Sequence, residues 1–361
     1  MSRFPDVFPA PRKLSLSVIP TPIMIRVVRL ILVALTVTFV TTSCDVLEDG
    51  PRPTLKQPVE MPIRYDAHRF LVTPVSPAGD TLSFIADTGG NFTWIFEEKA
   101  RELGLSEVNY ETKGAYSGVS EEFSVIESPN FREETRLPPP VYQNSHYVSV
   151  PMEWNYRHGR KYIEALYRGV DGGVLGNSWF ATRTWRFDYA AQQLVWKEDG
   201  ALPEGCPEHR VELTPVHGER GAPASGLMTL PIVVAGDTVT VLLDTGATVV
   251  LTESASRKVG DSGSTVRAGF HLGPDLYREW RDEHPEWERI EGGSGTDGDY
   301  DLIRVPEMKV GGHEIGPVWL NEAAMEFDRY NGAQAAMGGA ALKYFDAVTV
   351  DFKSGVAVFE R

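Results

Sequence analysis

At 361 residues the chain is long enough for two domains of ordinary size, each with its own core. Apolar residues make up 42% and charged residues 24%, and 34 Gly with 25 Pro favour strands and turns, which excludes an all-helical bundle. A formal net charge of −15 without a compensating basic stripe argues against a nucleic-acid partner; the short cluster Arg157, Arg160 and Lys161 reads as a solvated loop.

In chain order, Arg26 and Arg29 precede an apolar run, Leu30–Val40, that leads through small residues to Cys44. This is the pattern of an export signal within residues 1–44, and the run is shorter than a bilayer-spanning helix needs. A start at Met24 would give the signal a more usual length. The stretch VTTSC resembles the lipobox of bacterial lipoproteins, with Thr41 where that family carries a large aliphatic residue. The resemblance implies a lipid on Cys44 and a membrane-anchored protein of the cell envelope, with plain secretion as the alternative. The cysteines are Cys44 and Cys206, too few for a disulfide framework. Residues 45–60 are acidic, proline-bearing and without periodicity, and read as a tether.

Beyond the tether the chain repeats itself. AGDTLSFIADTGGNFTWI (Ala78–Ile95) aligns without gaps on AGDTVTVLLDTGATVVLT (Ala235–Thr252), at a constant offset of 157. Each copy predicts a Gly-Asp turn, a strand that becomes wholly apolar, an acidic turn, a second β-rich stretch and a short helix, from Glu97 and from Glu253. The repeat resumes at 172–196 and 335–359, where two apolar residues and a Gly precede an aromatic-bearing segment and a strand–turn–strand. Two similar lobes follow, 61–200 and 210–361, joined by a polar Pro/Gly linker at 201–209. Within the first, Pro129–Arg168 is an insertion relative to a minimal lobe; within the second, Asp275–Ile290 is helix-like, with aromatics that suit core packing.

Two D-T-G turns, at 87–89 and 244–246, each paired with an apolar-apolar-Gly element, resemble the aspartic proteases. The likeness is to the pepsin-like bilobal architecture and, in the compactness of each half, to retropepsin-like bacterial domains in tandem. The resemblance implies a mostly β fold of two similar β-barrel lobes with the active cleft between them. It makes Asp87 and Asp244 the catalytic pair, Thr88 and Thr245 the tie between the two loops, and Gly89, Gly246, Gly176 and Gly338 their support. It further implies a peptide or protein substrate, no cofactor or metal, and a monomer acting as a single-chain pseudo-dimer. Glycine-rich flap hairpins fall at 112–123, with Tyr116 as a candidate substrate-facing aromatic, and at 291–301.

Two carboxylates about 3 Å apart cannot both ionise, so one stays protonated while the other acts as a base. Metal-free peptide hydrolysis needs this division, although the sequence leaves open which aspartate holds the proton. Gly90 and Ala247 stand where pepsin-like enzymes carry Ser or Thr. Without those hydroxyls the pair should be less acidic, giving an optimum between mildly acidic and near neutral. The chain contains neither HExxH nor GxSxG, and Asp297–Asp301 lacks the Gly and distant Glu of a calcium loop. The competing expectation is a catalytically silent relative that binds peptides or cell-envelope proteins. It gains nothing from the electrostatic cost of two buried like charges.

Overall fold

A computed structural model describes residues 57–108, 123–142, 144–152, 160–204, 207–217, 223–260, 263–323, 327 and 330–361. Cys44, Cys206 and Tyr116 lie outside them. The fold is mostly strand, as expected, and its apolar runs form the innermost strands. Phe84–Ala86 is buried throughout because it lies inside a sheet, hydrogen-bonded in parallel to Gly173–Leu175 and antiparallel to Arg69–Val72. This seven-stranded sheet runs Ile63–Asp66, Arg69–Val72, Phe84–Ala86, Gly173–Leu175, Trp94–Phe96, Tyr147–Val150 and Ser124–Ile126. A ten-stranded sheet in the second lobe repeats the central feature, with Asp237–Leu243 parallel to Ala335–Met337.

The halves also diverge. In the first, the strand that follows the D-T-G turn, Trp94–Phe96, pairs with the apolar-apolar-Gly strand. In the second, Thr248–Val250 pairs instead with Val266–Ala268, and Phe270–Leu272 takes the place beside Ala335–Met337. The insertion at 129–168 contributes to the lobe itself, since Tyr147–Val150 is a buried strand of the seven-stranded sheet. Its Pro-rich part packs under the same lobe, where the Trp179 indole donates to the Pro138 carbonyl at 2.6 Å. The two predicted helices form at Glu97–Glu102 and Glu253–Val259. The aromatic segment of the second lobe is helical over Pro274–Glu283, with Leu276, Tyr277 and Trp280 buried, and then enters the strand Arg289–Ser294.

A six-stranded sheet takes three strands from each half. At its centre Thr184–Asp188 lies antiparallel to Ala347–Asp351, with Trp185 opposite Val350 and Phe187 opposite Val348. All four side chains are buried, and one continuous apolar cluster runs from Phe70 and Phe84 through Trp179 and Trp185 to Val241, Leu342 and Phe359. Arg186 adds an ion pair to Asp188 at 3.1 Å in its own half and another to Glu360 in the other. The lobes therefore share one core and one sheet, which fixes the spacing of whatever they hold between them.

Trp179 tests this core, because its ring is fully buried against Phe180 and Trp185. Trp179→Phe leaves the Pro138 carbonyl without its donor and should cost about 1–3 kcal/mol; Trp179→Ala opens a cavity and should cost about 3–5 kcal/mol. Urea denaturation should show this as a lower midpoint with an unchanged slope.

Candidate active site

Each D-T-G turn hangs from the end of a buried strand and is fixed by the neighbouring apolar-apolar-Gly strand. The Asp87 amide donates to the Leu175 carbonyl, and the Asp244 amide to that of Met337, both at 3.0 Å. The glycine that ends each of those strands is needed for close approach. A Cβ on Gly176 would stand 2.3 Å from the Phe92 carbonyl oxygen, and one on Gly338 would stand 2.7 Å from the Ala247 methyl and the Gly269 carbonyl. Both predicted support glycines therefore lie directly beneath the aspartate turns.

The two threonines form a reciprocal cross between the lobes. The Thr88 hydroxyl donates to the Leu243 carbonyl at 2.9 Å and accepts from the Thr245 amide at 3.1 Å. The Thr245 hydroxyl donates to the Ala86 carbonyl at 2.8 Å and accepts from the Thr88 amide at 3.2 Å. Both threonines are buried, at 0% and 3% exposure, so these four bonds exchange little with water. The cross brings each triplet's glycine against the opposite carboxyl: a Cβ on Gly89 would fall 2.3 Å from Asp244 Cγ, and one on Gly246 would fall 2.3 Å from Asp87 Cγ. Only glycine fits at either place.

The pair is not symmetric. Asp87 Oδ1 accepts from the Gly89 and Gly90 amides at 2.9 and 2.8 Å, whereas Asp244 Oδ1 is buried and has no hydrogen-bond partner. Burial raises the affinity of both carboxyls for a proton. For Asp87 it is opposed by a hydrogen bond from Asp244 and by the two backbone amides. For Asp244 burial is reinforced by the negative charge of Asp87 and by the bond between the two, and is opposed by the backbone amides of Ala247 and Gly246. Burial raises both carboxyls, and the charge of Asp87 draws the proton the pair shares toward Asp244.

Gly90 proves more specific than its lack of a hydroxyl suggests. Its amide donates to Asp87 Oδ1, and a Cβ at this position would stand 2.7 Å from Asp87 Oδ2, so a larger residue would crowd the carboxylate. Asn177 and Ser178, directly after Gly176, also belong to the site. The Asn177 amide group donates to the Thr88 carbonyl at 2.8 Å, and its backbone N–H donates to the Gly90 carbonyl at 2.6 Å. Ser178 Oγ accepts from the Thr93 amide and donates to the Thr93 hydroxyl, both at 2.9 Å. The repeat conceals these two because the matching residues are Gly339 and Ala340. At Gly339 a side chain would meet the His68 carbonyl at 2.4 Å, where a first-lobe turn reaches across to the second lobe.

The predicted second flap is a hairpin, Arg289–Ser294 with Tyr300–Val305. The helix Arg160–Leu166, from the insertion of the first lobe, packs against the second-lobe strand Thr248–Val250, and Lys161 reaches Asp297 on that hairpin at 3.5 Å. Tyr167, at the end of the helix, lies close enough to Asp87 for that carboxylate to help raise its phenol, after burial. The first flap candidate, with Tyr116, lies outside the described residues except for Phe123.

No protein-family model and no curated protein matches the chain. Among solved structures it is similar to an aspartic proteinase from Irpex lacteus, at 13% identity over 84% of this chain and 97% of that one, with a TM-score of 0.46. It is also similar to Basic 7S globulin from soybean, at 9% identity over 84% and 95% with a TM-score of 0.40. The protein edgp matches at 11% identity over 85% and 96%, again with a TM-score of 0.40. Likeness this distant says nothing about activity, which has to be argued from the paired aspartates themselves.

Thr88→Val and Thr245→Val should each cost about 1–3 kcal/mol, because each leaves buried backbone groups unpaired. Since each threonine both donates and accepts in one closed cross, the double variant should fall short of the sum in a double-mutant cycle followed by thermal unfolding.

Proposed function

We propose that the chain is an aspartic endopeptidase, a single-chain pseudo-dimer whose Asp87 and Asp244 activate water against a peptide bond. One observation carries this: two buried carboxyls held against each other by the threonine cross, close enough to share one proton. Asp87 takes a proton from a water molecule as it attacks the scissile carbonyl, and Asp244 gives its proton to the carbonyl oxygen. The tetrahedral intermediate then collapses. Asp87 passes its newly gained proton to the leaving nitrogen, and Asp244 recovers one from the intermediate's hydroxyl, which restores the starting state. The glycines at 89 and 246 admit the opposite carboxyl, and the backbone amides of Gly89 and Gly90 hold Asp87 as the base. The helix Arg160–Leu166 and the hairpin it touches would confine the substrate to an extended segment. The export signal and lipobox-like stretch add an envelope location, with a lipid on Cys44 as the proposed anchor.

Cleavage of a random peptide library should be lost in both Asp87→Asn and Asp244→Asn. A folded wild-type protein that cleaves nothing at any pH would overturn the proposal. Activity needs Asp87 ionised and Asp244 protonated, so the pH–rate profile should be bell-shaped. Because burial raises both groups, its limbs should lie above the ordinary carboxylate range and the optimum between mildly acidic and neutral.

The same shift has a consequence for stability. A carboxyl whose proton affinity is higher in the folded state loses stability as pH rises from its unfolded value through its folded one. Asp244→Asn removes this loss, so its melting temperature should exceed that of wild type at pH 7, and by much less near pH 4.

A further inference from the structure

Asn177 stands behind the Asp87 turn, and one peptide unit connects the two. The Thr88 carbonyl and the Gly89 amide belong to the same planar group and point in opposite directions. Asn177 Nδ2 donates to that carbonyl at 2.8 Å, and on the other side the Gly89 N–H donates to Asp87 Oδ1 at 2.9 Å. Whatever fixes the carbonyl therefore aims the amide, and a bond to the carbonyl also polarises the N–H into a stronger donor. The backbone N–H of Asn177 pins the far side of the turn through the Gly90 carbonyl at 2.6 Å. Gly90 supplies the second amide to Asp87 Oδ1, at 2.8 Å.

Only the donor half of the Asn177 amide is used. The residue is fully buried and its Oδ1 has no hydrogen-bond partner, although a buried acceptor in that state is costly. The second lobe backs onto this oxygen, since a Cβ on Gly226 would stand 2.8 Å from it. A carbonyl can only accept, so the amide cannot turn over without losing its bond to Thr88. Packing alone would be served by an apolar side chain with no orphan atom. The equivalent place in the second lobe is Gly339, where a side chain would strike the His68 carbonyl, so the arrangement exists under Asp87 and not under Asp244.

We infer that Asn177 is a positioning residue for the reaction: through the Thr88–Gly89 peptide it aims the amides of Gly89 and Gly90 at Asp87 and so favours the Asp87 carboxylate as the base. Burial pushes the Asp87 carboxyl up, and the bond from Asp244 and then the amides of Gly90 and Gly89 bring it back. Loosening the amides removes part of that opposition, so the first dissociation of the pair moves to higher pH. Among the described residues the other ionisable groups facing Asp87 are Asp244, from the opposite turn, and Tyr167, whose phenol is kept neutral by burial. This role rests on the proposed peptidase activity, so its test includes a titration that needs no turnover.

The full chain labelled with ¹³C at the aspartate Cγ reports the dissociations directly, the Asp87 signal being the one absent from Asp87→Asn. In Asn177→Ala and Asn177→Leu the first dissociation of the pair should rise by about 0.5–1 pH unit, the equivalent of one ordinary hydrogen bond. The acid limb of kcat/KM for a peptide that the wild type cleaves should move by the same amount, with KM changed by less than about twofold. Trp179→Phe disturbs the same short helix, Asn177–Phe180, without touching the turn, and should leave both readouts in place. Should neither Asn177 variant fold, Gly226→Ala crowds the amide from the second lobe and must raise the dissociation in the same direction. An unmoved dissociation in a folded Asn177 variant, or an equal movement in Trp179→Phe, would overturn the inference. A shifted titration in a protein that cleaves nothing would remove the peptidase reading and leave the hold of Asn177 on Asp87 standing.

Discussion

Two carboxyls that repel one another when ionised are held together by four hydrogen bonds that involve neither of them. The Thr88–Thr245 cross links hydroxyl to carbonyl and amide to hydroxyl across the lobe boundary, and much of the site follows from it. Once the two turns approach that closely, a side chain at Gly89 or Gly246 has no room, and the cost of burial falls on the aspartates. Sharing one proton lessens that cost.

The cross can persist because the lobes are joined by more than the site. The six-stranded sheet draws equally on both halves, and aromatic side chains from Phe70 to Phe359 form one apolar mass behind it. Burial on that scale outweighs the repulsion of a single ion pair in the wrong sense. The approach of the aspartates is therefore set by the architecture, and their chemistry adapts to it.

Much of this was legible in the residues. The gapless repeat located both strands that end in aspartate and the two threonines, and its continuation at 172–196 and 335–359 located the glycines beneath them, since strand periodicity and turn chemistry are local properties that survive in each copy. What escaped notice was whatever one half has and the other lacks. Asn177 and Ser178 contribute side-chain bonds in the first lobe, but their counterparts Gly339 and Ala340 carry no polar side chain, because a turn from the opposite lobe fills that space. The insertion relative to a minimal lobe, 129–168, also holds more than the sequence disclosed, since Tyr147–Val150 within it is integral to the sheet. Pairing partners far apart along the chain leave little trace in composition. The balance of burial, charge and backbone amides around each aspartate was likewise beyond reach, because it depends on directions that only the folded turn defines.

The gaplessness of the repeat sits beside a second-lobe strand order unlike the first. Two identical turns on separate chains would have to change together, and their pairing would weaken on dilution. With both turns on one chain, pairing is intramolecular and first-order, so the dyad assembles at any protein concentration. Each half can then carry substitutions that the other does not tolerate. The unequal environments of Asp87 and Asp244 are a product of that freedom: one chain can give its two carboxyls different surroundings in the absence of any ligand, whereas a symmetric pair of identical turns would have to wait for an asymmetric ligand to do so.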